Sequence, residues 1–126
     1  KIALCISGKP RSSMFCYPYI YDTFINNEHQ VDTFIHSWDE CRAIDLYNPK
    51  KLEINSDKEA LDVLVPMLDL NGIKIEGNTK NNVLMYYSIK KCFDLIESEY
   101  DVVIRARFDL LLQTKFDIKS ILNDFH

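Results

Sequence analysis

The sequence predicts an α/β fold in which a mostly parallel central sheet is flanked by helices. Segments with strand-like apolar patterns alternate along the chain with segments of helical spacing, which is typical of parallel strands joined by crossover helices. The first strand, residues 1–7, is apolar on both faces, as expected for a central strand covered by helices on both sides. The length of 126 residues fits a single domain.

The first half of the chain is predicted to be a strand, a helix and a second strand. A turn rich in Gly, Pro and Ser at residues 8–13 follows the first strand. The helix after it is predicted from apolar residues at helical spacing, namely Tyr17, Ile20, Tyr21, Phe24 and Ile25. "VDTFIHSW" (31–38) predicts the second strand, and a polar loop is expected from Asp39 past Pro49.

The second half contains a shorter strand, two helices and a long last strand. "KLEIN" (51–55) predicts the third strand, and Ser56 is a capping residue for a helix that Asn71 and Gly72 end. "IKIE" (73–76) predicts a short strand, and residues 77–82 a loop. The strongest helix has one apolar stripe, formed by Met85, Ile89, Cys92, Phe93 and Ile96. It leads into the last predicted strand, residues 101–112.

The last strand carries charge inside an otherwise apolar pattern, "YDVVIRARFDLLL" (100–112). Strand side chains alternate between faces, so Arg105, Arg107 and Asp109 share one face. An arginine is rarely buried without a partner, and its guanidinium pairs best with carboxylates or phosphates. The arginines therefore either bind a phosphate ligand or form an internal ion-pair network with one or more of three acids: Asp32, Asp39 and Asp101.

Ligands of parallel α/β sheets bind beyond the carboxyl ends of the strands, and three such ends carry candidate residues. After the first strand, hydrogen-bond donors and a glycine form a candidate phosphate loop that includes Ser7, Gly8, Lys9 and Arg11, with a plain surface turn as the alternative. After the second, Asp39 is either a ribose or base contact or a capping residue. His36 could be a ligand, but a lone histidine at a strand end is more often hydrogen-bonded within the fold, and that is expected here. At the last strand, Asp109 could bind a divalent cation. Together the three ends favour a nucleoside diphosphate with a metal ion.

Composition and charge exclude several other classes. The net charge of −4 argues against a nucleic-acid-binding protein. No apolar run reaches the roughly 20 residues of a membrane helix, and no signal peptide is recognisable. The four cysteines form no CxxC pair, so reduced thiols in a cytoplasmic protein are expected, with a disulfide or metal framework as the alternative.

Four stretches in this order resemble a family of GT-A-type glycosyltransferases, found in bacterial surface-polysaccharide clusters and in large DNA viruses. They are "ISGKPR", "VDTFIHSWD", "MYYSIKKCFDLI" and "YDVVIRARFDLLL", and the resemblance spans residues 1 to about 112. It implies the Rossmann-like, nucleotide-binding half of a hexosyltransferase. The implied substrates are a UDP- or GDP-sugar donor, with UDP favoured, and a glycan or glycoprotein acceptor.

The resemblance also implies roles for individual residues. Such enzymes bind Mn²⁺ or Mg²⁺ through an Asp-x-Asp motif, and the matching position here reads Arg107-Phe108-Asp109, which leaves Asp109 as the direct ligand. Ser7, Gly8 and Arg11 would hold the nucleotide or its diphosphate. Tyr86, Tyr87 and Ser88, in the helix before the last strand, would flank the base or ribose. Tyr87 is alternatively part of the core.

Two further readings stay open beside the glycosyltransferase. One is another phosphate-handling α/β transferase, such as a sulfotransferase or kinase relative. The other is a non-catalytic domain with a structural Arg/Asp network. The chain starts within a strand and ends as a helix begins, so we expect a piece of a longer enzyme, with the catalytic base beyond residue 126.

Overall fold

The computed structural model of the protein describes residues 1–111, 120, 121 and 123, and it has a Rossmann-like α/β fold. Its four strands, in chain order, are β1 (Ile2–Gly8), β2 (Val31–Ser37), β3 (Lys51–Ile54) and β4 (Val102–Ala106). All neighbouring pairs are parallel, and the order across the sheet is β3-β2-β1-β4. The predicted parallel sheet is therefore confirmed.

The direction of strand addition reverses at β1. From β1 the chain steps to β2 and then to β3 on one side, and β4 is later added on the other side of β1. The register pairs Gly8 with Ser37 and Ile6 with Ala106, so the segments that follow β1, β2 and β4 leave the sheet at the same edge. A reversal of this kind leaves a crevice between the carboxyl ends of the two strands concerned, here β1 and β4.

Helices cover both faces of the sheet, as the apolar first strand predicts. They are α1 (Ser13–Ile20), which continues as a π-helical turn (Tyr21–Ile25), then α2 (Arg42–Tyr47), α3 (Asp57–Leu70) and α4 (Asn78–Asp94). Leu4 and Ile6 of β1 pack into a core cluster with α1 and α2, whereas Ala3 and Cys5 pack against Cys92 of α4. Both faces of β1 are thus removed from water, which contributes apolar stabilisation to the fold.

The short strand predicted at residues 73–76 is wrong, since that segment is not part of the sheet. The backbone at the start of this segment instead hydrogen-bonds to the C-terminal end of α3. Gly72, with a φ of 72°, donates its N–H to the Asp69 carbonyl, and Ile73 donates to the Leu68 carbonyl. These two bonds form a Schellman motif, which satisfies carbonyl groups at the end of a helix.

Two helical segments lie where loops were predicted. Helix α2 occupies part of the expected polar loop after β2, and it buries Ala43, Ile44 and Tyr47. Helix α4 begins at Asn78, within the predicted loop 77–82. The buried stripe of α4 is also rotated from the predicted one and consists of Leu84, Ser88 and Cys92.

Strand β4 is shorter than predicted, since it ends at Ala106 and residues 107–109 form a turn. Leu112, the predicted end of the strand, and most of 119–126 lie outside the described residues. The four cysteines are free thiols, and Cys5, Cys16 and Cys92 are buried. Across the described part of the chain, none of the helices has both the length and the apolar character needed to cross a bilayer.

Candidate functional site

A cleft of about 300 Å³ opens at the crevice between the carboxyl ends of β1 and β4. One wall is the segment that follows β1, and the other is the end of β4 with the turn after it. Trp38, which follows β2, and four residues of α4 complete the lining: Asn81, Asn82, Leu84 and Met85. The fold thus brings together segments that are about a hundred residues apart along the chain.

The cleft is strongly cationic. Its lining carries four positive side chains, Lys9, Arg11, Arg105 and Arg107, against the single carboxylate of Asp109. Partial burial lowers the pKa of Arg105, and the neighbouring charge of Arg107 lowers it further. Like charges held this close repel each other, and an anion between them would relieve that repulsion.

Two residues at the end of β1, Ser7 and Gly8, have unusual local features. Ser7 contributes to the cleft lining, and its fully buried Oγ has no hydrogen-bond partner among the described residues. An unsatisfied buried hydroxyl costs free energy, so a site is expected to use it. Gly8 has a φ of 118°, a conformation that side chains disfavour, and so the backbone can turn sharply into the loop.

Arg107 and Asp109 form a two-pronged ion pair across the turn. Nε of Arg107 lies 3.0 Å from Oδ1 of Asp109, and Nη2 donates to Oδ2 at 3.0 Å. Two of the acids expected to pair with the arginines have other contacts: Asp32 accepts from the Tyr100 hydroxyl, and Asp101 pairs with the amino terminus. The carboxylate that pairs with Arg107 is therefore that of Asp109, which lines the same cleft.

A second cleft, of about 440 Å³, adjoins the first. The two share Lys9, Arg11 and Trp38, and the second is also lined by Asp39 and by the start of α3. The shared residues form the boundary between a cationic part and a part that carries carboxylates. A ligand with an anionic centre and a polar, uncharged extension matches this division.

A buried polar network lies beside Trp38 and contacts its ring through His36. His36 is fully buried, its Nδ1 lies 2.6 Å from the Ser88 hydroxyl, and its Nε2 lies 2.9 Å from Oδ1 of Asn55. The Asn55 amide donates to Glu59, so its Oδ1 faces the imidazole and accepts from Nε2. Nδ1 then accepts from Ser88, and burial lowers the pKa of His36 and favours its neutral form.

The same network holds two aromatic rings. Trp38 lies edge-on to the His36 ring at 5.0 Å and stacks on Tyr87 with centroids 5.8 Å apart. Tyr87 also receives the Lys91 ammonium on its ring at 5.5 Å. The indole that borders both clefts therefore rests on a packed support, which is the arrangement that keeps a binding residue in one orientation.

The structure brings together seven of the ten predicted site residues and separates three. The seven line the first cleft: Ser7, Gly8, Lys9, Arg11, Arg105, Arg107 and Asp109. Asp39 lines the second cleft, Tyr87 supports Trp38, and Ser88 is buried against His36. The expectation that His36 is hydrogen-bonded within the fold is confirmed.

Sequence reasoning missed five residues of the cleft lining: Trp38, Asn81, Asn82, Leu84 and Met85. Trp38 directly follows β2, so the rule that selected the other strand ends could have found it. Asn81 and Asn82 lie in a stretch predicted as a loop, and no apolar periodicity marks their place in α4.

Comparisons with known protein families, with curated proteins and with solved structures find no match to this chain.

Proposed function

We propose that this chain is the donor-binding domain of a glycosyltransferase that uses a nucleotide-diphospho-sugar, with a UDP-sugar favoured. The observation that supports this most is the cationic cleft at the reversal of strand order. It combines the Arg11, Arg105 and Arg107 guanidiniums with the unpartnered hydroxyl of Ser7. Guanidiniums bind phosphate oxygens through paired N–H donors, so the lining suits a diphosphate.

The surroundings of the cleft suit the rest of such a donor. The second cleft shares Lys9, Arg11 and Trp38 with the first and offers room for a polar extension on one side of the diphosphate. Helix α4 starts with no acidic residue in its first turn, so its N-terminal end favours negative charge nearby. The first and last of the stretches that resemble GT-A enzymes supply the two main walls.

In the proposed reaction an acceptor hydroxyl of a glycan or glycoprotein attacks the anomeric carbon of the bound sugar. The bond from that carbon to the β-phosphate oxygen breaks, and its electron pair leaves with the nucleoside diphosphate. The guanidiniums stabilise the negative charge that grows on the leaving group. We expect the base that takes the proton of the acceptor to lie outside the described residues.

Binding of nucleotides tests the proposal directly, because the only tryptophan of the chain borders the cleft. Titration with UDP and GDP should change the fluorescence of Trp38 in a saturable way. Affinity should fall as salt rises, because charge pairing contributes to binding. Isothermal titration calorimetry under the same conditions checks that the fluorescence reports binding.

The same titrations separate the two other readings. Saturation by adenosine nucleotides in preference to UDP and GDP would favour a sulfotransferase or kinase relative. No response to any nucleotide or to pyrophosphate would contradict a phosphate site and favour the non-catalytic domain. Arg42→Ala serves as the control variant, because Arg42 lines a different cleft beside α2 and is exposed.

A further inference from the structure

The predicted metal ligand, Asp109, has both carboxylate oxygens engaged by Arg107. Fork-like pairing of this kind is the strong form of an Arg–carboxylate contact. A cation that bound Asp109 would have to displace at least one of these two N–H donors. The side chain of Asp109 is 31% exposed and that of Arg107 60% exposed, so the pair lies at the mouth of the cleft.

The rest of the lining offers a divalent cation little. Mg²⁺ sites that bind phosphates usually take one or two carboxylates, with phosphate oxygens and waters as the remaining ligands, and Mn²⁺ shares this preference for oxygen. The lining offers one carboxylate, Asp109, and Arg107 engages both of its oxygens. Within the described ranges, no group of three or more His, Cys, Asp or Glu side chains could hold a metal ion. A cation at Asp109 would also face the positive charges of Lys9, Arg11 and Arg105. This donor set does not fit the metal that the GT-A resemblance implies.

We infer that the cleft binds the diphosphate through its guanidinium groups without a divalent cation, and that Asp109 is a positioning residue that orients Arg107. This inference depends on the proposed function, because it concerns how the same diphosphate is held. The Asp109 carboxylate holds the planar guanidinium by Nε and Nη2, which leaves Nη1 and the second proton of Nη2 for phosphate oxygens. Arg105, for which no carboxylate partner occurs in the described part of the chain, supplies the second guanidinium.

The first experiment compares UDP binding in EDTA with binding in excess Mn²⁺, by calorimetry and by Trp38 fluorescence. The dissociation constant in EDTA should lie within about twofold of that in Mn²⁺, because Arg107 holds both oxygens of Asp109 and no metal contact contributes to binding. Binding only in Mn²⁺, or binding at least about tenfold tighter there, would overturn this inference and still support the proposed diphosphate site. No binding in either condition would overturn both.

The second experiment asks whether Asp109 acts through Arg107. Asp109→Asn should weaken UDP binding by about threefold or more in the wild-type background and by less than about 1.5-fold in an Arg107→Ala background. A metal ligand behaves differently, since Asp109→Asn would then weaken binding in both backgrounds and only when Mn²⁺ is present. Equal effects in the two backgrounds would overturn the positioning role. Far-UV circular dichroism and urea denaturation check that each variant keeps the wild-type fold.

Discussion

Replacement of Ser88 by alanine tests whether the buried network beside Trp38 supports the fold. The hydroxyl donates to Nδ1 of His36 at 2.6 Å, and both residues are buried, so no water replaces the lost donor. A buried acceptor left unpaired costs about 1–3 kcal/mol. Alanine is the better helix former by about 0.5 kcal/mol, so the net loss of stability should be about 0.5–2.5 kcal/mol.

Urea denaturation followed by far-UV circular dichroism measures this loss at about pH 8, where His36 is neutral. Ser98→Ala is the control, because Ser98 is exposed and lies outside the helices, and it should change the free energy of unfolding by less than about 0.5 kcal/mol. A Ser88→Ala protein at least as stable as the wild type would refute the reasoning. It would mean that Nδ1 does not depend on the serine.

Acid should destabilise the wild type through the same histidine. Burial holds the pKa of His36 below its ordinary value of 6.5, so the folded protein resists protonation there. As the pH falls through that value the unfolded chain binds the proton first, and the free energy of unfolding decreases. A His36→Gln variant, whose side chain does not titrate, should lose less stability between about pH 8 and about pH 5 than the wild type does. Equal losses in the two proteins would contradict the role of His36.

Three further predictions concern the end of β1 and the loop after it. Arg11→Ala should raise the dissociation constant for UDP by about 10- to 150-fold, because a charged hydrogen bond contributes about 1.5–3 kcal/mol, and Arg42→Ala should leave it within about twofold. Ser7→Ala should weaken UDP binding by about 2- to 12-fold, yet leave the protein as stable in urea as the wild type or more so, because the Ser7 hydroxyl has no partner in the described structure. Gly8→Ala should cost about 1–3 kcal/mol in urea denaturation, since the φ of 118° strains any side chain. Unchanged affinity in the first two variants, or unchanged stability in the third, would contradict the role given to that residue.

The sheet and the position of the cleft were predictable because they depend on strong, local signals. A strand apolar on both faces marks the centre of a parallel sheet, and β1 is buried along almost its whole length. The rule for strand ends then selects the loops after β1 and β4, which do form the cleft. Although β4 is shorter than predicted, Arg105, Arg107 and Asp109 still line the same cleft.

The errors arose where tertiary contacts decide the structure. Helix α2 is short, and burial of Ala43, Ile44 and Tyr47 stabilises it more than its own sequence does. Ser88 looked like a polar residue available to a ligand, but His36 gives it a partner in the interior and so turns it inward. The alternation at 73–76 resembled a strand, yet its first N–H is used by the end of α3. None of these partners is visible from the local sequence.

Strand β4 lies at the margin of the sheet, and in the described part of the chain its pairing is with β1 alone. One wall of the cationic cleft therefore depends on a strand that is paired on one side, and such a strand opens locally more easily than a central one. A ligand that contacts both walls would hold β4 against β1, a central strand of the sheet. At a free concentration a hundred times its dissociation constant, the ligand would add about 2.7 kcal/mol to stability, and the amide hydrogens that β4 donates to β1 should then exchange more slowly with solvent.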